Sequence, residues 1–412
     1  MSTAAFTEFP GVVKAMEKLK AGFIDQGKQI SDIVDDAGHQ YVDLVMEGGG
    51  VLGIALAGYT YALEQAGVRF LGVAGTSAGA INALLVAAAD TPENEKSGKI
   101  VKILSQLDLY RFVDGDEDVQ DFIKSLLDPD AWMITKIKNA AFVKDTIDED
   151  VGLNPGVEFQ LWMVTVLKSF GVTSLQTLRD KMVLSGLKYR DTGQPISSDD
   201  SQAKLALIAA DLTTETKVEF PRMAELYWKD LDSVNPAVFA RASMSVPVFF
   251  KPLKIEDCPT GEKAKENWYR LARYKGDPPD EVTFVDGGIL SNFPIDVFHK
   301  HGEVPKAPTF GAKLGIDRTK PRDVSSLLKL IGGAFDAARH CLDYDFLLRN
   351  DDYEHLITRI QTGDHNWLNF AMEEKDQVDL FYRGVQHGVD FLLGFDWEKY
   401  KEIRRNIKRT GA

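Results

Sequence analysis

The fold of this chain is decided by residues 41–89, which read YVDLVMEGGGVLGIALAGYTYALEQAGVRFLGVAGTSAGAINALLVAAA. Tyr41–Met46 is a short run of β-forming residues, glycines follow it, and an apolar helix is predicted at Val51–Gln65. A second strand is predicted at Val68–Val73 and a helix of small residues at Gly79–Ala89. Strands that alternate with helices in this way predict an α/β fold, a three-layer sandwich whose mostly parallel central sheet is covered by helices.

The composition is that of a globular protein. The chain has 412 residues, 44% of them hydrophobic and 27% charged, which excludes a disordered or fibrous chain. With 48 basic and 62 acidic side chains the net charge is −14. A nucleic-acid partner is therefore not expected, because phosphate binding needs a clustered basic surface. Contact with a membrane would have to be local.

Cysteine content and the N-terminus indicate a cytoplasmic protein. Cys258 and Cys341 cannot form a disulfide framework, and residues 1–6 lack the basic start and apolar run of a signal peptide. Phe70–Ala89 is free of charge and long enough to cross a bilayer, but Gly75–Gly79 would break a helix there. We therefore expect no signal peptide and no transmembrane helix, with membrane association possible only at the surface.

The rest of the chain is predicted to form a domain with two extensions. Residues 1–39 form a helical N-terminal extension, residues 40–320 the α/β domain with a helical segment at 93–200, and residues 321–412 a helical C-terminal region. Further strands are predicted at Leu205–Ala210, Val218–Phe220, Val282–Val285 and Thr309–Ile316.

The first motif is Gly48-Gly49-Gly50-Val51-Leu52-Gly53, between the first strand and its helix. It fits the dinucleotide pattern GxGxxG, but the second strand ends in Gly72-Val73-Ala74-Gly75 where an acidic residue would hold a ribose. The other use of such a loop is to aim backbone N–H groups at developing negative charge beside a helix N-terminus. Glycines suit that use because no Cβ blocks the substrate.

The second motif is Gly75-Thr76-Ser77-Ala78-Gly79, a GxSxG sequence between a strand and a helix. A serine at such a turn is held in a strained conformation with its Oγ exposed at the edge of the sheet. The third motif is Asp286-Gly287-Gly288, directly after the predicted strand Val282–Val285. An aspartate beside two glycines is open to close approach by another side chain.

These motifs, in this order, resemble those of the patatin-like phospholipase family, and Arg241–Pro247 is similar to a segment that precedes the family's aspartate motif. The resemblance spans roughly residues 40–320. It implies that Ser77 is the nucleophile, that Asp286 is the general base of a Ser-Asp dyad, and that Gly48, Gly49 and Gly50 form the oxyanion hole. It also implies a phospholipid or other acyl-lipid substrate, peripheral membrane contact, and no cofactor or metal. Leu52 stands where many members carry Arg or Lys.

Two other functions stay open at this point. A Ser-Asp-His triad would need a histidine after Asp286, and the chain offers His299, His301, His340, His355, His365 and His387. None of them stands in a glycine-flanked loop after a predicted strand, so the dyad is favoured. A non-catalytic lipid-binding or partner-binding module would not need Ser77, Asp286 and the glycine loop together.

Three apolar or basic stretches have alternative interpretations. Phe9, Val12, Met16, Leu19 and Phe23 predict either a docked helix or one that lies on a membrane. Val157–Phe170 predicts a buried helix, or else a wall that meets acyl chains. The basic residues at 399–409, including Arg404 and Arg405, predict a solvated helix face or contact with anionic phospholipid.

Overall fold

The computed structural model describes residues 2–115, 152–197, 202–315, 321, 337 and 343–410. Parts of the predicted helical segment 93–200, namely 116–151 and 198–200, lie outside the described residues, as do His340 and Cys341.

A mixed β-sheet forms the centre of the fold. Its strands are β1 Ile33–Val34, β2 Gln40–Met46, β3 Val68–Thr76, β5 Lys188–Tyr189, β6 Lys204–Asp211, β7 Thr216–Phe220, β9 Leu253–Ile255, β10 Val282–Asp286, β11 Thr309–Leu314 and β12 Ile357–Ile360. The strands β4 Gly152–Asn154 and β8 Val248–Phe250 pair with each other in a separate small sheet. The main path of the central sheet runs in the order β12-β11-β2-β3-β6-β10-β9, and β1, β5 and β7 pair at its sides. Strands from β12 to β6 are parallel, whereas β10, β9 and β7 are antiparallel to their neighbours.

Helices sandwich this sheet, which confirms the predicted α/β class. They are α1 Thr3–Thr7, α2 Pro10–Leu19, α3 Gly53–Gln65, α4 Ala78–Ala89, α5 Ser97–Gln106, α6 Val157–Ser169, α7 Leu175–Lys181, α8 Ala237–Ser243, α9 Glu262–Ala272, α10 Glu374–Gly394 and α11 Trp397–Thr410, and residues 343–349 are also helical. Among the helices in these described ranges, none combines the length and the apolar composition needed to cross a bilayer.

The alternation β2-α3-β3-α4 matches the order predicted from residues 41–89. Met46 at the end of β2 pairs with Gly75, and Thr76 at the end of β3 pairs with Ile208. Since β2 and β3 are parallel, the loops that follow them leave the sheet at the same edge. The glycine loop and Ser77 therefore meet there.

The C-terminal region is not purely helical. β12 extends the sheet beyond β11, which the sequence analysis missed because Ile357–Ile360 is too short to give a periodic signal. Glycines let α10 lie directly on α3: a Cβ on Gly384 would be 1.9 Å from the carbonyl oxygen of Ala55, and one on Gly58 would be 2.1 Å from that of Phe381. Close backbone contact thus fixes the C-terminal region to the centre of the fold.

Both ends of the chain pack on the same core. Phe6, Val12, Leu19 and Phe23 are buried, and Phe6 packs edge-on against Phe381 of α10. The N-terminal extension also supplies β1, which pairs with β2, so the predicted boundary at residue 39 stays a prediction.

The basic end of the chain is only partly solvated. Lys401 is buried with its Nζ 2.8 Å from a carboxylate oxygen of Asp32, and buried Arg404 donates to Asp352 at 3.0 Å. The hypothesis that Arg404 contacts anionic phospholipid is therefore wrong, because its charge is neutralised inside the protein.

Candidate active site

Ser77 forms a sharp turn between β3 and α4. Its backbone has φ 53° and ψ −118°, a conformation that residues with a Cβ rarely adopt. The flanking glycines make room for it: a Cβ on Gly79 would lie 2.1 Å from the carbonyl oxygen of Met46, and one on Gly75 would lie 2.3 Å from the backbone of Gly79. The turn places Ser77 at the N-terminus of α4, where the helix dipole favours negative charge.

The end of α8 supports this turn. The amide of Ser77 donates to Ser243 Oγ at 2.9 Å, and Ser243 Oγ donates in turn to the carbonyl oxygen of Ile208 in β6. The carbonyl oxygen of Ser245 accepts from the amide of Asp286 at 2.8 Å. One short segment, part of the predicted Arg241–Pro247 motif, therefore contacts both Ser77 and Asp286.

Asp286 ends β10 on the other side of β6. It pairs with Ala209, directly after Ile208, the residue that pairs with Thr76. The Asp286 carboxylate is buried, and its Oδ1 accepts from the amide of Gly288 at 2.7 Å. Ser77 and Asp286 therefore flank one point of β6, so residues far apart in sequence occupy the same region of the sheet.

The glycine loop lies against the serine turn. A Cβ on Gly48 would be 3.2 Å from Ser77 Cβ, 3.1 Å from the carbonyl oxygen of Thr76 and 2.4 Å from Asn292 Oδ1. The Gly48 amide donates to the carbonyl oxygen of Asn292 at 3.0 Å. Within the described residues, the amides of Gly49 and Gly50 donate to no backbone or side-chain acceptor. The predicted oxyanion role of the loop stays a prediction, and this geometry favours Gly49 and Gly50 as the donors.

From the predicted oxyanion role we expect Gly48→Ala to lower kcat for an ester about 100-fold, the typical effect of one lost oxyanion donor, because the new methyl group pushes the amides of Gly49 and Gly50 away from Ser77. Steady-state kinetics on a soluble ester would measure this. Gly98→Ala is the matched control, since a Cβ there meets nothing closer than 3.9 Å and should leave kcat unchanged. Wild-type kcat in folded Gly48→Ala would contradict the predicted oxyanion role of the loop.

An apolar cavity of about 70 Å³ opens beside Ser77. Phe112 and Phe159 form one part of its wall and Phe249 and Phe250 another. Among the described residues that line it, all but Ser77 and Gly50 have apolar side chains. An apolar lining of this kind suits a hydrocarbon chain.

The C-terminal region completes this cavity, which the sequence analysis did not predict. Trp367, Leu368 and Phe370 line it, the carbonyl oxygen of Trp367 accepts from the amide of Val51 at 3.0 Å, and Phe370 stacks on Phe249 with ring centroids 4.8 Å apart. These residues lie in a connection between β12 and α10 without periodicity. Their only signal in the sequence is an apolar run in a loop.

Three of the candidate histidines have partners away from Ser77 and Asp286. His299 Nδ1 is 2.7 Å from Tyr353 Oη, His365 Nε2 is 2.9 Å from Asp379, and His387 Nδ1 is 2.8 Å from the carbonyl oxygen of Arg383. Burial, together with neighbouring His301, lowers the pKa of His299 to about 4. No histidine in the described part of the chain lines the cavity that contains Ser77.

Comparison with known proteins gives a family match. The family described as Patatin-like phospholipase matches residues 44–299. The uncharacterized protein YqhO of Bacillus subtilis (strain 168) is 29% identical over 354 residues, which cover 85% of this chain and 98% of YqhO. Among solved structures, VipD from Legionella pneumophila has a TM-score of 0.41 and 16% identity, covering 89% of this chain and 70% of VipD. Human GIVD cytosolic phospholipase A2 has a TM-score of 0.44 and 10% identity, and the match covers 99% of this chain and 64% of the human protein.

Proposed function

Because the chain belongs to the patatin-like phospholipase family, we propose that it is a lipid acyl hydrolase of the phospholipase A or lysophospholipase type that uses Ser77 and Asp286 as a catalytic dyad. The observation that carries this proposal is the position of Ser77. Ser77 lies against the glycine loop and lines an apolar cavity, and Asp286 ends the strand on the other side of β6.

In the proposed mechanism, Ser77 Oγ attacks the carbonyl carbon of an ester while Asp286 takes the hydroxyl proton. The amides of Gly49 and Gly50 stabilise the oxyanion that forms. Collapse of the tetrahedral intermediate breaks the bond to the alcohol, which leaves with the proton from Asp286, and Ser77 is acylated. Asp286 then deprotonates water, which attacks the acyl-enzyme; the fatty acid is released as the bond to Ser77 Oγ breaks, and Asp286 returns the proton to Ser77.

The cavity supports an acyl chain rather than a headgroup as the part of the substrate that is buried. Its aromatic walls give a hydrocarbon chain a favourable transfer from water, at roughly 0.8 kcal/mol per methylene. Leu52 is buried beside the glycine loop and adds no positive charge there. The headgroup would therefore remain on the solvent side.

Exposed apolar side chains on two segments that also line the cavity support contact with a membrane. Val157 and Leu161 are 55% and 51% exposed one turn apart on α6, whose Phe159 lines the cavity. Val248 is 51% exposed next to Phe249, another lining residue. We propose that these three residues, the apolar rim, enter the interface of a bilayer. A protein with a net charge of −14 needs such an apolar contact, since general attraction to anionic lipid is unfavourable.

Leu161→Glu is expected to reduce hydrolysis of phospholipid vesicles about tenfold or more, because a charge on the apolar rim must be desolvated on insertion. Hydrolysis of a soluble short-chain ester should stay unchanged. Val183→Glu is the control, because Val183 is 48% exposed and bridges to Gln202 at the amino end of β6. An equal loss of vesicle hydrolysis in both variants, or no loss in Leu161→Glu, would contradict the proposal that the apolar rim enters the bilayer interface.

Active-site labelling tests the proposed function against a non-catalytic binding module. A fluorophosphonate should attach to Ser77 of the wild type, as peptide mass spectrometry would show. The same protein should release fatty acid from phosphatidylcholine or lysophosphatidylcholine vesicles. A folded protein that neither reacts at Ser77 nor releases fatty acid would be a binding module.

A further inference from the structure

We propose that Asp343 is a positioning residue for this site. Its carboxylate orders residues 291–293, and these residues hold the glycine loop and the end of β3 in place beside Ser77. The inference rests on the proposed function, since it concerns how the same site is kept in a reactive geometry. Asp343 lies outside the matched range 44–299, in the C-terminal region of the chain.

The Asp343 carboxylate is buried and accepts hydrogen bonds on both oxygens. Oδ1 accepts from Ser291 Oγ at 2.8 Å. Oδ2 accepts from the amide of Asn292 at 3.0 Å and from that of Phe293 at 2.7 Å. A single side chain therefore fixes three consecutive residues, and hydrogen bonds to an ionised acceptor are the stronger kind.

Residues 291–293 in turn form hydrogen bonds with the glycine loop and with the end of β3. Asn292 makes a reciprocal pair with Gly48: its carbonyl oxygen accepts from the Gly48 amide at 3.0 Å, and its Nδ2 donates to the Gly48 carbonyl oxygen at 3.1 Å. The carbonyl oxygen of Ser291 accepts from Thr76 Oγ1 at 2.8 Å. Gly48 begins the oxyanion loop and Thr76 precedes the nucleophile. Asp343 is therefore connected by hydrogen bonds to both parts of the proposed machinery.

Two buried charged groups face this carboxylate. Lys313 Nζ is 3.4 Å from Glu47, and it lies over the rings of Phe293 and Tyr344 at 5.1 and 5.0 Å. Burial raises the pKa of Asp343 to about 7, with Glu47 adding to the rise, while the donors from Ser291 and Phe293 and the charge of Lys313 oppose it. Asp343 therefore changes its protonation near neutral pH, and its carboxylate form is the one that accepts from all three donors.

The variants Asp343→Asn and Asp343→Ala distinguish a positioning role of Asp343 in catalysis from a contribution to folding stability alone. In the Asn variant the side-chain oxygen can still accept from both amides and the NH₂ group can donate to Ser291 Oγ, so it imitates the protonated acid. In the Ala variant residues 291–293 lose all these contacts. Asp352→Asn is the matched control, since Asp352 is also buried and accepts from Arg404 and from Tyr400 Oη, each at 3.0 Å.

The measurement is kcat and KM for a soluble ester from about pH 5.5 to about pH 8.5, together with Tm. Wild-type kcat should rise several-fold through about pH 7 as Asp343 ionises. Asp343→Asn should stay near the low-pH level of the wild type across the range. Asp343→Ala should lose about tenfold or more in kcat with little change in KM. Asp352→Asn should lower Tm but keep the wild-type kcat and its rise near pH 7.

Three results would overturn the inference: wild-type kcat in folded Asp343→Ala, a persistent rise near pH 7 in Asp343→Asn, or the same kinetic loss in Asp352→Asn. Fluorophosphonate labelling of wild-type Ser77 is measured first. If that labelling and ester hydrolysis both fail, the proposed function is wrong. If they succeed and the Asp343 variants behave like the wild type, only the positioning role is wrong.

Discussion

Ser77→Ala is expected to lower kcat/KM for ester hydrolysis by roughly 10⁴-fold or more, because it removes the atom that forms the acyl-enzyme. The change removes a single oxygen and keeps the Cβ, so the turn at φ 53° should be no more strained than before. Fatty-acid release from vesicles, quantified by mass spectrometry, would measure the loss of activity. Thermal unfolding would show whether the stability is unchanged. Any residual rate would come from the proposed oxyanion loop and from substrate binding alone.

A matched control for this variant is Ser105→Ala. Ser105 is buried as well, and its Oγ donates to the carbonyl oxygen of Lys102 at 2.8 Å on α5, so its loss should change Tm slightly and activity not at all. Full activity in purified Ser77→Ala would refute the nucleophile assignment, whatever Ser105→Ala does.

Asp286→Asn is expected to lower kcat by roughly 10³–10⁴-fold, because an amide cannot take the proton of Ser77 Oγ. The amide oxygen can still accept from the Gly288 amide, which should preserve the loop. Asp211→Asn is the matched control: Asp211 ends β6, is buried, and accepts from the Thr213 amide at 2.8 Å. It should lose stability without comparable loss of kcat. Initial rates and Tm of both variants are the measurement.

The histidine series separates the dyad from a triad. Each histidine after Asp286 is replaced in turn, and the dyad requires that every variant keep substantial activity. Among the described histidines, His299 contacts Tyr353 and His365 contacts Asp379 rather than Ser77 or Asp286. A single replacement that removes activity as completely as Ser77→Ala would establish the triad instead.

The order of strands and helices in residues 41–89 was predictable because glycines mark both turns and the runs between them are strongly apolar. The ends of elements were less predictable. β3 continues to Thr76, beyond the predicted Val73, because both neighbouring strands pair with it there. Such pairing depends on residues far away in the sequence, so the end of the strand cannot be predicted from the local pattern of residues.

The three motifs pointed to Ser77, Asp286 and the glycine loop; in the structure the loop lies against Ser77, and Asp286 lies across β6 from it. The contacts that hold them were not predictable. Ser243 and Asn292 are isolated polar residues in sequence, and only the fold brings them to Ser77 and Gly48. For the same reason the sequence cannot tell which amides of the loop remain available, since the acceptor for Gly48 is a carbonyl far downstream.

The C-terminal wall of the cavity sets an order of events during synthesis. A ribosome adds Ser77 and Asp286 well before Trp367, Leu368 and Phe370, and α10, which anchors this part of the chain on α3, follows later still. A growing chain therefore carries the two proposed catalytic residues while the apolar cavity beside Ser77 still lacks one wall. We expect this cavity to be complete only after α10 has docked on α3, that is, once translation has passed the end of that helix.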